Sequence, residues 1–174
     1  MVLLARPATR SSKFTFPGSL HQFRLVALHF FGTHLDRKKG GKVLHELIET
    51  LNANRNPQLA EGMAAYMKNQ FPFLGIPKPV RTKLQKDFIK RAKKQGRIEW
   101  QDVYALWDLP EREYQYVALD YLVELKEYLQ PVDIYHLQTL ILMKSWWDTV
   151  DKLASIPVGT LCLKHPELVK DRVV

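Results

Sequence analysis

The sequence predicts an all-α chain, and three observations carry that prediction. Beyond Val43, apolar residues recur at the 3.6-residue spacing of amphipathic helices. No stretch there alternates with period two, so strands are not expected. Proline, glycine and asparagine punctuate the periodic stretches at short intervals, as caps and turns do. Helices pair along the chain at 43–54 with 57–70, 80–94 with 99–107 and 111–129 with 132–144. That rhythm suits an irregular bundle and a HEAT-like α-solenoid of stacked helix pairs equally well.

Taken in order, Val43, Leu44, Leu47, Ile48 and Leu51 form one stripe and place the first helix over 43 to 54. Asn56-Pro57 supplies an N-cap and a first-turn proline for a second, with Leu59, Met63, Tyr66 and Met67 on one stripe. Phe73 to Pro79 reads as a rigid loop. A third helix is expected over 80–94, with Val80, Leu84, Phe88 and Ile89 inward, lysines outward and Gly96 as its stop. Trp100, Val103, Tyr104 and Trp107 mark a short fourth. Asp108-Leu-Pro-Glu111 looks like a capping-box start for a fifth, periodic through Tyr114, Val117, Ala118, Tyr121, Leu122 and Leu125. Pro131 opens a sixth through Met143, and Ser145-Trp-Trp-Asp148 caps a seventh that Pro157 ends.

The formal charge of +8 is unevenly spread. Residues 1–42 hold eight Lys or Arg against Asp36 alone, and residues 78–97 hold nine against Asp87, whereas 98–174 is net acidic. The basic third helix, with Lys78, Arg81, Lys83, Lys86, Lys90, Arg91, Lys93, Lys94 and Arg97, has the density of a phosphate-tracking surface. A solvated lysine face is the alternative. One cysteine, Cys162, forbids an internal disulfide, and six histidines form no HExxH pattern, so no metal is predicted. Neither GxGxxG nor GxxxxGK occurs, which leaves nucleotide cofactors unsupported. Leu25 to Phe31, the longest apolar stretch, is broken by His29 and far shorter than the roughly 20 residues that span a bilayer.

Residues 1–42 differ in texture from the rest of the chain and read as a basic leader: an over-extended frame or disordered segment, a targeting peptide, or a basic nucleic-acid tail. The helical domain is expected over 43–174.

Lys144-Ser-Trp-Trp-Asp-Thr-Val-Asp151 is the most informative stretch. With Ser145 as N-cap, Trp147 and Asp151 share a face at i,i+4, and Trp146, Val150 and Leu153 form the inward stripe. Asp148 has structural roles as cap acceptor and as partner of Lys152. Asp151 has none as good. A carboxylate beside an indole attracts a cation, although periodicity alone favours core tryptophans and a solvated acid.

Several ordered strings together resemble the bacterial HEAT-repeat DNA alkylation repair glycosylases, the AlkD-like family. They are Met63-Ala-Ala-Tyr-Met-Lys-Asn69 with Phe73-Leu-Gly-Ile76, Leu106-Trp-Asp-Leu-Pro-Glu-Arg-Glu113, Lys144 to Asp151, and Leu163-Lys-His-Pro-Glu-Leu168. The resemblance implies a HEAT-like solenoid that grips double-stranded DNA in a basic groove and hydrolyses the N-glycosidic bond of N3- or N7-alkylpurines. It implies Asp151 as the catalytic carboxylate and Trp147 as an aromatic packed on the lesion's sugar, with no cofactor and no metal. It further implies DNA contacts from the basic helix and Lys144, a monomer, and a cytoplasmic, nucleoid-associated location. Tyr66 is assigned a backbone contact or, on its stripe with Met63, core packing, with core packing favoured. The family continues for several helices beyond Val174, and those helices carry another tryptophan and an arginine facing DNA, so weak excision is expected of this chain. A non-catalytic DNA-binding helical-repeat protein is the rival reading.

Overall fold

The computed structural model describes residues 37–170, with side chains from 41 to 169. Most of the basic leader lies outside that range. Among the described residues every regular element is helical. The order is α1 (Arg37–Ala53), α2 (Pro57–Tyr66), α3 (Lys78–Leu84), α4 (Lys86–Gln95), α5 (Trp100–Asp108) and α6 (Arg112–Glu124), followed by 3-10 turns at Lys126–Tyr128 and Pro131–Asp133. The chain continues through α7 (Ile134–Leu142), α8 (Trp147–Leu153), a π turn (Ala154–Val158), α9 (Gly159–Lys164) and α10 (Glu167–Lys170). No described helix is long and apolar enough to cross a membrane.

Helix α6 is the hub. Tyr114, Val117, Ala118, Leu119, Tyr121 and Leu122 are buried on it, more faces than an amphipathic surface helix hides, because α4, α5 and α8 pack around it. Trp107 and Leu106 from α5, Leu137 and Leu140 from α7, Leu153 from α8 and Leu161 from α9 join the same core, as do Leu44, Leu47 and Leu51 from α1 and Phe88 from α4. The helix pairs are not the expected ones: α5 pairs with α6 and α7 with α8. The tight Leu109 to Glu111 connection dictates the first pairing. Gln115 locks it by donating to the carbonyls of Leu106, Trp107 and Leu109 at 3.3, 3.0 and 2.7 Å, satisfying the orphan acceptors at the end of α5.

Asn56 caps α2 as expected, its side chain accepting from the Leu59 amide at 3.1 Å. Gly96 ends α4 in the left-handed region at φ 67°. Other boundaries differ. Helix α1 begins at Arg37, so the run to Lys42 is helical and not a flexible end to the leader. The basic segment is two helices that meet at Gln85, whose buried amide donates to Asp120 at 2.9 Å. Val80 is exposed there, not inward. Glu111 is the N-cap of α6 but its side chain makes no cap bond and instead binds Arg55 at 2.5 Å. Trp146, not Ser145, is the N-cap of α8. Pro157 does not end the last helix, because the π turn accommodates a residue that cannot donate and whose ring would clash with a normal i−4 carbonyl.

The largest departure is α2, which buries no residue of its own. Of the expected stripe Leu59 and Tyr66 are exposed, at 45% and 73%, Met63 is half-buried, and Met67, just past the helix end, is the member that reaches the core. Gly75 ties the helix start down. At φ 82° it brings the loop so close that a Cβ would sit 2.0 Å from the Asn56 carbonyl oxygen, while the Asn56 amide donates to Leu74 at 2.8 Å.

Candidate functional site

Helices α2, α3, α6 and α8 border a groove of about 630 Å³. One wall is the α2 stripe of Leu59, Met63 and Tyr66; Phe73, Ile76, Tyr116 and Leu119 supply more apolar surface, and Lys78, Arg81, Asp120 and Lys152 the polar part. Tyr66 reaches across to Trp147 on α8, edge to face with ring centroids 6.2 Å apart. Trp147 is half exposed.

Glu113 shapes the loop below. Fully buried at the start of α6, it accepts from the amides of Leu74, Gly75 and Ile76 at 2.9, 2.9 and 3.0 Å. A single carboxylate thereby satisfies three loop donors that would otherwise be orphaned.

Arg112, the neighbouring residue, is also fully buried and fastens α8. Its Nε and Nη2 donate to the two oxygens of Asp148 at 3.0 and 2.6 Å, Nη2 also to Thr149 Oγ1 at 2.9 Å, and Nη1 to the Lys144 carbonyl at 3.0 Å. The guanidinium lies over the Phe71 ring at 3.8 Å. Tyr116 donates to the same Asp148 carboxylate at 2.7 Å. Burial works to raise the Asp148 pKa, but the Arg112 and Tyr116 hydrogen bonds outweigh it and hold the carboxyl below its ordinary value. The Tyr116 hydroxyl is pushed up, chiefly by burial and then by its bond to that carboxylate.

Asp120 is likewise consumed, by Lys152 at 2.7 Å, Gln85 at 2.9 Å and Arg81 at 3.5 Å. Burial opposes its ionisation, and these partners prevail and hold its pKa low. Lys152 therefore pairs with Asp120, not with Asp148 as its spacing implied. Asp151 is the exception among the acids of this region. It is exposed, with no hydrogen bond or ion pair to its carboxylate among the described residues, one turn along α8 from Trp147.

The basic residues divide. Lys83, Lys86, Lys90 and Lys94 are exposed and form no ion pair among the described residues. Lys78 lines the groove. Arg81 is buried against Asp120 with its guanidinium 4.8 Å from the Tyr116 ring, so it is no free phosphate ligand. Arg91 pairs with Glu46 at 3.6 Å, and Lys93 with Glu124. Lys144, at φ 48°, sends its ammonium to the carbonyls of Asp108 and Leu109 at the end of α5, and burial lowers its pKa. Of the residues that the sequence singles out, Lys78 lines the groove, Trp147 and Asp151 stand one turn apart on α8, and Tyr66 is exposed and not packed in the core; Arg112, Glu113, Tyr116 and Asp120 are not singled out by the sequence. Their partners lie more than 30 positions away, where no local pattern reaches. No group of His, Cys, Asp and Glu among the described residues could hold a metal ion.

Among the described residues the fold is all-helical, with an open, aromatic-edged groove that Lys78 lines and exposed, unpaired lysines elsewhere on α3 and α4. Residues 47–173 match the model of the family described as DNA alkylation repair enzyme. The chain belongs to that family. A solved structure described as a predicted DNA alkylation repair enzyme from Enterococcus faecalis is similar, with a TM-score of 0.59 and 32% identity over 67% of this chain. The chain spans 55% of that protein's length. No curated protein matches it.

Proposed function

We propose that the chain is a DNA glycosylase of HEAT-like build that releases N3- and N7-alkylpurines from duplex DNA. The observation that supports this most is Asp151: Asp120 and Asp148 are ion-paired and Glu113 is held by three backbone amides, whereas the Asp151 carboxylate is exposed with no partner among the described residues, one turn along α8 from exposed Trp147. An alkylated purine is already cationic. Cleavage of its C1′–N bond sends the bonding electrons to the base, which leaves neutral, so no general acid is needed. Positive charge then develops on the sugar, where a carboxylate and an indole face both stabilise it, before water adds at C1′ and loses a proton.

In this reading Trp147 and Tyr66 pack against the lesion strand, while Lys78, Lys83, Lys86, Lys90 and Lys94 neutralise phosphates. Arg81, Arg91, Lys93 and Lys144, which the sequence reading also placed on DNA, hold the frame instead. The partner is double-stranded DNA, and the protein works as a monomer at the bacterial nucleoid.

Incubation with duplexes carrying N7-methylguanine or N3-methyladenine tests it. Free base above the spontaneous background supports a glycosylase; salt-sensitive binding with no release at any protein excess supports the non-catalytic DNA-binding rival, which the exposed lysines alone would serve.

A further inference from the structure

Helix α8 is short, seven residues, and its N-cap residue Trp146 offers no side-chain bond to the amides of its first turn. Something else must set where it starts and how it is rotated. The residue before that start region, Lys144, sits at φ 48°, a conformation a lysine adopts only when its surroundings hold it there. Two clamps do so. The Lys144 ammonium grips the end of α5, and Arg112 grips Lys144, Asp148 and Thr149 at once. A buried ion pair of this kind adds little net stability over well-packed apolar residues, but it fixes one geometry, since any rotation of α8 would strand a charge.

From this we infer that Arg112, Asp148 and Tyr116 are positioning residues for the Trp147 and Asp151 site, setting the rotation of α8 that presents both groups to the DNA. Asp148 precedes Asp151 by three positions, so the face that receives Arg112 and the face that carries Trp147 and Asp151 turn together. Tyr116 adds the fixed point on the groove side. None of the three needs to touch the substrate. The inference rests on the reading of Asp151 as the group that stabilises a sugar cation, and the experiment separates the two.

The full chain is titrated with two duplexes that differ at one nucleotide, a pyrrolidine sugar analogue protonated at neutral pH and a neutral tetrahydrofuran. The ratio of the two affinities reads cation stabilisation without turnover. The wild type is expected to prefer the cationic duplex by about tenfold or more. Asp151→Asn should abolish that preference; if the wild type shows none, or Asp151→Asn keeps it, the reading of Asp151 fails and the inference falls with it. Asp148→Asn and Tyr116→Phe are then compared, with Arg112→Lys as the conservative partner. Hydrogen exchange at residues 145–151 should speed about tenfold in Asp148→Asn and less in Tyr116→Phe, with α5 and α6 unchanged. The cation preference should fall toward unity in the first and about threefold in the second, while affinity for the neutral duplex holds. Arg112→Lys should retain part of both. Tyr116→Phe removes one hydroxyl and keeps the fold even where Asp148→Asn does not. Unchanged exchange in Tyr116→Phe and Arg112→Lys would overturn the clamp, and a full cation preference despite faster exchange would overturn its role in positioning.

Discussion

Arg112 and Asp148 meet in a two-pronged ion pair, 3.0 and 2.6 Å, that joins the first residue of α6 to the first turn of α8. It spans 36 positions of sequence and leaves the arginine fully buried. Breaking such a pair by removing one partner strands the other charge, which costs about 3–5 kcal/mol. Arg112→Ala should therefore lower stability by roughly that amount in a denaturant titration, and Asp148→Asn by less, because an amide still accepts one bond.

The same pair sets an acid limb. Asp148 has a folded pKa held below its ordinary value, so its contribution is present above the unfolded value near 4 and is lost as pH falls through the lower folded one. Asp120 behaves alike for its own partners. Wild-type stability should decline steeply below about pH 4. In Asp148→Asn that decline should be shallower, measured as melting temperature from pH 5 to pH 2.

Asp102, in the first turn of α5, works in the opposite sense. Burial, and then repulsion from Glu99, push its carboxyl up to about 6. A raised carboxylate pKa means that the charged form is the one the fold disfavours, so the penalty is present above pH 6 and vanishes as pH falls toward the unfolded value. Asp102→Asn should stabilise the chain by about 1–2 kcal/mol at pH 7 and by nothing at pH 4. Equal effects at both pH values would mean packing, not charge, is responsible.

How far this architecture can be read from residue order alone depends on whether the deciding partner is local. The caps at Asn56 and Gly96 and the buried stripe of α6 are legible, because each follows from a side chain and its neighbours within one or two turns. Trp147 and Asp151 are legible as a pair for the same reason. The stripe of α2 misleads: Leu59, Met63 and Tyr66 carry helical periodicity whether they face a core or an open groove, and only the placement of α6 and α8 decides which. The ion pairs are out of reach, since Arg81, Arg91 and Lys93 look alike as basic residues until Asp120, Glu46 and Glu124 arrive from other helices. Pro157 reads as a stop because periodicity does not foresee a π turn.

Gly75 is the backbone position most sensitive to change. A Cβ there would overlap the Asn56 carbonyl, and the positive φ adds strain of its own. Gly75→Ala should destabilise by about 2–4 kcal/mol and loosen α2 first, seen as faster exchange of amides 59–66 with the α5 and α6 core unchanged.

For DNA affinity the lysines that remain unpaired should matter and the paired ones should not. Replacing Lys83, Lys86, Lys90 and Lys94 by Ala should lower the slope of log K against log salt by about 0.9 for every phosphate no longer neutralised, alike for every sequence. Lys93→Ala, whose ammonium is held by Glu124, should change it little. Tyr66→Ala should weaken binding with no loss of melting temperature, as suits a ring that is 73% exposed.

In the proposed function Asp151 stabilises charge on the sugar. The most direct measurement is single-turnover release of 7-methylguanine from duplex DNA, with protein in excess, by the wild type and by Asp151→Asn side by side. Release by the wild type is expected to fall about tenfold or more in Asp151→Asn, at unchanged DNA affinity and unchanged melting temperature. Equal rates of release, above all alongside a lowered melting temperature, would contradict it and make Asp151 a structural residue.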